Sequence, residues 1–139
     1  MMLVGLFVAA APGAAQDTTH DGLEVTVSHL ERADIVPLGD CPPGENIVRG
    51  VIRAGDEANE FVTVHLDFKV LPGFQGVDWP RPSIHDANGR LYRTAQVFAD
   101  MDRLPEYSCN FSFRVPDGMK VQDFMLDEGV ALDLTAHDR

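Results

Sequence analysis

The segment from Glu60 to Val70 constrains this chain more than any other. Val62, Val64, Leu66, Phe68 and Val70 alternate with Thr63, His65, Asp67 and Lys69. That is the period of a β-strand with one face in a core and the other in water. Two further segments repeat it: Leu23, Val25 and Val27 against Glu24, Thr26 and Ser28, and Cys109, Phe111, Phe113 and Val115 against Ser108, Asn110, Ser112 and Arg114. Residues 47–53 predict a short strand, and residues 121–126 and 130–134 predict two more around Asp127-Glu128-Gly129. Asn88-Gly89 between Ile84 and Leu91-Tyr92 is a hairpin signal, because both residues tolerate positive φ. Residues 32–46 and 71–82 are rich in Pro and Gly and predict loops, while the spacing of Val97, Met101 and Leu104 predicts a turn or two of helix over 96–104. Seven or eight short strands separated by turn signals make an antiparallel sandwich of two sheets. An α/β fold would instead show continuous apolar runs in its buried parallel strands.

The first fifteen residues read differently. Leu3 to Ala11 is an apolar run followed by Pro12-Gly13-Ala14-Ala15, the pattern of a secretory signal peptide with small residues at the cleavage site. The run is shorter than the roughly 20 residues a membrane span needs. The expected organisation is a signal peptide over 1–15, a short tail over 16–21 and one sandwich domain over 22–139, working in the periplasm or outside the cell. The formal charge of −11 repels phosphate backbones and anionic lipid heads, so nucleic acid and membrane surfaces are not expected partners. Cys41 and Cys109 are the only cysteines, and in an oxidising compartment they are expected to form a disulfide.

Three stretches carry a resemblance to a known family: Glu60-Phe-Val-Thr-Val-His-Leu-Asp-Phe-Lys-Val70, Ile84-His-Asp-Ala-Asn-Gly-Arg-Leu-Tyr92 and Asn110-Phe-Ser-Phe-Arg-Val-Pro-Asp-Gly118. They look like the long core strand, the hairpin and the exit strand of the telokin-like, immunoglobulin-fold domains common on bacterial exported proteins. The resemblance spans about residues 22–135 and implies an immunoglobulin-like β-sandwich. It brings no catalytic residues, because the matching positions are those of core and turns. The chain departs from the pattern at residues 39–53, which look inserted and contain Cys41, and again at the Pro-rich residues 71–82.

The chemistry-bearing residues point to binding rather than to a reaction. The four serines of the mature chain, Ser28, Ser83, Ser108 and Ser112, sit in no Gly-x-Ser-x-Gly elbow, so a small secreted hydrolase is the weakest reading. No cofactor is expected. Phe74, Trp79 and Tyr92 are the candidate contacts for a protein, small-molecule or glycan ligand, with Trp79 as the anchor of a stiff loop over 73–82. Against this stands a lid reading, in which Trp79 folds back over one end of the core. A periplasmic Cu or Zn protein is the main alternative function. His65 and Asp67 share one strand face, His85 precedes the hairpin, and imidazoles converging with carboxylates suit those ions if the two strands are neighbours. The acidic pair Asp100 and Asp102 lacks the alternating oxygen ligands of a calcium loop.

Overall fold

In the computed structural model the described residues are 17–39, 41–43, 50–55, 58–79, 82–94, 96, 98–100, 102, 104–127 and 130–138. The signal-peptide reading of 1–15 lies outside them. Every regular element among them is a strand: β1 (Asp17–His20), β2 (Leu23–Ala33), β3 (Ile35–Leu38), β4 (Gly50–Arg53), β5 (Asn59–Val70), β6 (Val77–Trp79), β7 (Ser83–Asp86), β8 (Leu91–Arg93), β9 (Phe98–Asp100), β10 (Glu106–Pro116), β11 (Val121–Asp127) and β12 (Val130–Asp133).

Two four-stranded sheets face each other, one in the order β1-β2-β5-β10 and the other β12-β11-β7-β8. All pairings within them are antiparallel. Strands cross between the sheets in the Greek-key order of immunoglobulin-like sandwiches, with β2, β5 and β10 in one layer and β7, β8, β11 and β12 in the other. The alternating apolar residues read from the sequence make the interior: Leu23, Val25, Val62, Val64, Leu66, Phe111 and Phe113 from one sheet and Ile84, Phe124, Leu126 and Leu132 from the other are at most 1 % exposed. Phe111 of the first sheet and Phe124 of the second stack with centroids 5.9 Å apart, and Phe113 meets Phe124 edge-on at 6.1 Å. Burying one such side chain contributes about 1.5–3 kcal/mol, so this aromatic contact is a principal bond between the layers.

Four sequence expectations change. Residues 16–21, read as a tail, contain the edge strand β1, which pairs along β2 from Asp17↔Thr26 to His20↔Leu23. The two loops each contain a short strand: β3 pairs with β4, and β6 pairs with β9. The helical spacing over 96–104 is overridden, because Phe98 is wholly buried against Phe68 and its backbone pairs with Trp79. Residues 44–49, part of the predicted loop and strand there, lie outside the described residues. In the Asn-Gly hairpin only Gly89 has positive φ, at 85°. The turn is a four-residue loop, closed by the Asp86 amide donating to the Arg90 carbonyl at 3.0 Å.

The outer edge of β10 is covered by side chains instead of a strand. Gln96, 1 % exposed, accepts from the Ser112 amide at 2.9 Å and donates to the Asn110 carbonyl at 2.9 Å, imitating a peptide group. Its amide nitrogen also lies 3.1 Å from the Gly39 carbonyl, and Thr94 donates to the Ser112 carbonyl at 2.9 Å. An open strand edge would template aggregation, and here it is closed by residues that pair only in place.

Candidate functional site

The distinctive local feature is a β-bulge in β2. Leu23, Val25 and Val27 face the core opposite Val70, Phe68 and Leu66, but between Val27 and His29 the register shifts by one residue. Beyond the shift His29 sits opposite His65, Leu30 opposite Val64 and Glu31 opposite Thr63. The inward parity passes from odd to even residue numbers, and His29 and Glu31 turn onto the outer face beside His65. Without the extra residue both would share the parity of Val27 and point into the core.

Three potential donor side chains therefore meet on the solvent face of the first sheet. The imidazoles of His29 and His65 stack with centroids 3.9 Å apart and planes 9° from parallel. Each Nε2 lies 3.0 Å from the same oxygen, Glu31 Oε1. His29 is aligned to donate to that oxygen, whereas His65 Nε2 is buried and makes no hydrogen bond. Ser28, the bulge residue, places its hydroxyl 2.8 Å from His29 Nδ1 and can donate or accept there, so it serves either tautomer. Burial, followed by the electrostatic effect of the neighbouring His29, holds the His65 imidazole below its ordinary range. The His29 hydrogen bond, then the electrostatic attraction of the adjacent His65 imidazole, lowers the Glu31 carboxyl.

Toward the β1–β2 turn, a groove of about 390 Å³ continues along the same face, lined by Glu24, Thr26, Asp67, Lys69, Glu106 and Ser108 with the backbone side of Phe68 and Tyr107. The register sets its floor in two rows: Glu24, Lys69 and Glu106 in one, Thr26, Asp67 and Ser108 in the next. Thr19 and Asp17 of β1 extend the rows by pairing with Glu24 and Thr26. Four carboxylates surround a single lysine on this surface.

The sequence-predicted site residues fare unequally. Cys41 and Cys109 are bonded, with Cα atoms 5.5 Å apart. His65 joins the cluster. Asp67 lies next to it on the same face, where its carboxylate accepts from the Ser108 hydroxyl at 2.5 Å. His85 does not join them: β5 and β7 belong to opposite sheets, and His85 Nδ1 pairs with Asp123 at 2.7 Å. Phe74 is 7 % exposed and packs with the core, its backbone and ring within 3.1–3.2 Å of where a Cβ on Gly22 would stand. Tyr92 is half-buried against the core and holds Asp86 with its hydroxyl at 3.3 Å. The backbone of Trp79 pairs with Phe98 in β6, and its side chain lies outside the described residues. Asp86 itself anchors the hairpin: the amides of Arg90 and Asn88 donate to it at 2.8 and 2.9 Å and hold its carboxyl below the usual range. Asp100, considered for calcium, is 1 % exposed and accepts from the Tyr107 hydroxyl at 2.7 Å, a buried strut.

Sequence reasoning missed His29 and Glu31. The signal was present in the change of apolar parity from Val27 to Leu30, which a bulge explains and a regular strand does not.

The sequence matches no protein-family model and none of the curated proteins. Its fold is similar to that of an uncharacterized β-sandwich protein from Clostridium difficile 630, with TM-score 0.50, 14 % identity and coverage of 86 % of this chain and 89 % of the other. The likeness is one of fold.

Proposed function

We propose that the protein is a non-catalytic binding module of the extracytoplasmic space, and that its working surface is the outer face of the β1-β2-β5-β10 sheet. The observation that carries this reading is the groove floored by Glu24, Asp67, Lys69 and Glu106, an open concavity with an excess of negative charge on a rigid sheet. The ligand class it fits is a cationic one, a Lys- or Arg-bearing segment of a partner protein, whose side chains would lie in the carboxylate rows. The Cys41–Cys109 disulfide supports an oxidising compartment. No helix among the described residues is long and apolar enough to cross a membrane. We also infer kinship with the telokin-like immunoglobulin-fold domains. The Asp86-x-x-Gly89-Arg90-x-Tyr92 hairpin supports it, because Asp86 organises the turn and Tyr92 closes it.

A near-isosteric pair of substitutions that removes two negative charges tests the groove without disturbing the core, since Glu24 and Glu106 are exposed. Glu24→Gln with Glu106→Gln is expected to weaken capture of a Lys/Arg-rich peptide roughly two- to thirtyfold, each exposed carboxylate contributing about 0.2–1 kcal/mol. Raising salt to about 1 M should weaken it further. Equal binding of a basic and an acidic peptide of the same length, or no change in the double variant, would reject the groove as the site.

A further inference from the structure

We infer that His29, Glu31 and His65 form a site for a single divalent transition-metal ion, Zn²⁺ or Cu²⁺, on the outer sheet face. The inference stands on its own three residues and does not depend on the groove. Their donor atoms, two imidazole nitrogens and a carboxylate oxygen, all lie within 4.8 Å of one another. Tetrahedral coordination with metal–ligand bonds of about 2.0–2.2 Å needs donor separations near 3.3 Å. His29 and Glu31 are 51 % and 58 % exposed, so side-chain rotation alone can close the set around an ion while β2 and β5 stay fixed by their pairing.

The chemistry of the set favours these ions over Ca²⁺ or Mg²⁺. Two imidazoles with one carboxylate are intermediate donors that suit zinc and copper, whereas the hard ions need oxygen throughout. The donor arrangement also contains a buried polar atom that an ion would satisfy. Both Nε2 atoms crowd one carboxylate oxygen, only His29 is aligned to bond to it, and His65 Nε2 is buried without an aligned hydrogen bond. A metal would take the lone pairs of both nitrogens and the Glu31 oxygen together. The Nδ1–H of His29 would then donate to Ser28 Oγ, a second shell that fixes the ligating tautomer. The bulge supplies both the ligand His29 and its Ser28 support. Three protein ligands leave a fourth position open to water or to an external donor. The site lies on a molecule of formal charge −11, which draws cations toward it.

The test uses the untagged full-length protein freed of metal and titrated separately with Zn²⁺ and Cu²⁺ in equilibrium dialysis. One bound equivalent is expected, with Cu²⁺ held more tightly than Zn²⁺. Imidazole resonances of His29 and His65 should shift together while those of His85 stay in place. His29→Ala, at an exposed position that leaves the core untouched, should weaken binding by at least about tenfold, and Glu31→Gln should weaken it to a lesser extent. His85→Ala should leave it unchanged. The inference is overturned by less than about a tenth of an equivalent bound at saturating metal, by undiminished binding in His29→Ala, or by shifts centred on His85.

Discussion

Replacing Arg32 with alanine is expected to lower the unfolding free energy by about 3–5 kcal/mol, seen as a fall in the denaturant midpoint at unchanged slope. Arg32 closes β2 just beyond Glu31. Its guanidinium donates to Glu60 Oε2 at 2.7 Å, to Asp138 Oδ1 at 2.7 Å and to the Met119 carbonyl at 2.5 Å. The two carboxylates are in turn bound to backbone. Glu60 accepts from the Gly118 amide and Asp138 from the Val121 amide, each at 2.7 Å. The cation thus ties the β10–β11 turn and the segment after β12 to the first sheet. Side-chain exposure is 11 % for Glu60 and 8 % for Asp138, so alanine at position 32 leaves two nearly buried negative charges without their shared counter-ion. That stranded charge, rather than the intrinsic worth of an ion pair, sets the size of the loss. Arg32→Lys should lose less, because it keeps the charge but lacks the planar fork that reaches three acceptors. A loss in Arg32→Ala below about 1 kcal/mol, the range of exposed ion pairs, would show the network to be solvated and dispensable.

Removing the disulfide, by reduction or as Cys41→Ser with Cys109→Ser, is expected to cost about 4 kcal/mol, similar in size to the Arg32 effect. The bridge closes a sequence separation of 68 residues, and the chain-entropy argument assigns a loop of that length a large share of unfolded-state freedom. There is a local reason as well. Cys41 lies in the segment between β3 and β4, two residues beyond Gly39, whose carbonyl takes one of the Gln96 hydrogen bonds at 3.1 Å. Cys109 lies on β10, whose outer edge Gln96 and Thr94 cover. Loss of the bridge frees the segment that helps hold Gln96 in place and so loosens the edge of the sheet. Unfolding followed with and without reductant, with thiols counted in each sample, measures the effect. Equal midpoints in fully oxidised and fully reduced protein would contradict it.

Much of the sandwich was legible because strand alternation reports burial directly. Val62, Val64, Leu66 and Phe68 are read as inward, and all are at most 2 % exposed. The same rule gives Phe111, Phe113 and Val115. It fails where a short segment is decided by distant partners. The strand at Phe98 follows from the stack of Phe98 on Phe68, with centroids 5.2 Å apart, and local spacing there favours a helix. It fails again where topology assigns a strand to a sheet. His65 and Asp67 share a face by parity alone, but whether His85 can approach them depends on which layer β7 joins, a property of the whole Greek key. The site was half legible for a related reason. His65 was found by its parity on a regular strand, while His29 and Glu31 reach it only through the bulge, and one residue of register is invisible to a reading that assumes strict alternation.

A residue-resolved nuclear magnetic resonance titration tests most directly the proposal that the outer side of β2, β5 and β10 is the working face. With Zn²⁺ the largest changes are expected at His29, Glu31 and His65. With a Lys/Arg-rich peptide they are expected at Glu24, Thr26, Asp67, Lys69 and Glu106, and in both cases β7, β8, β11 and β12 should remain unperturbed. Changes centred on His85 and Asp123, or spread evenly over both sheets, would contradict the claim.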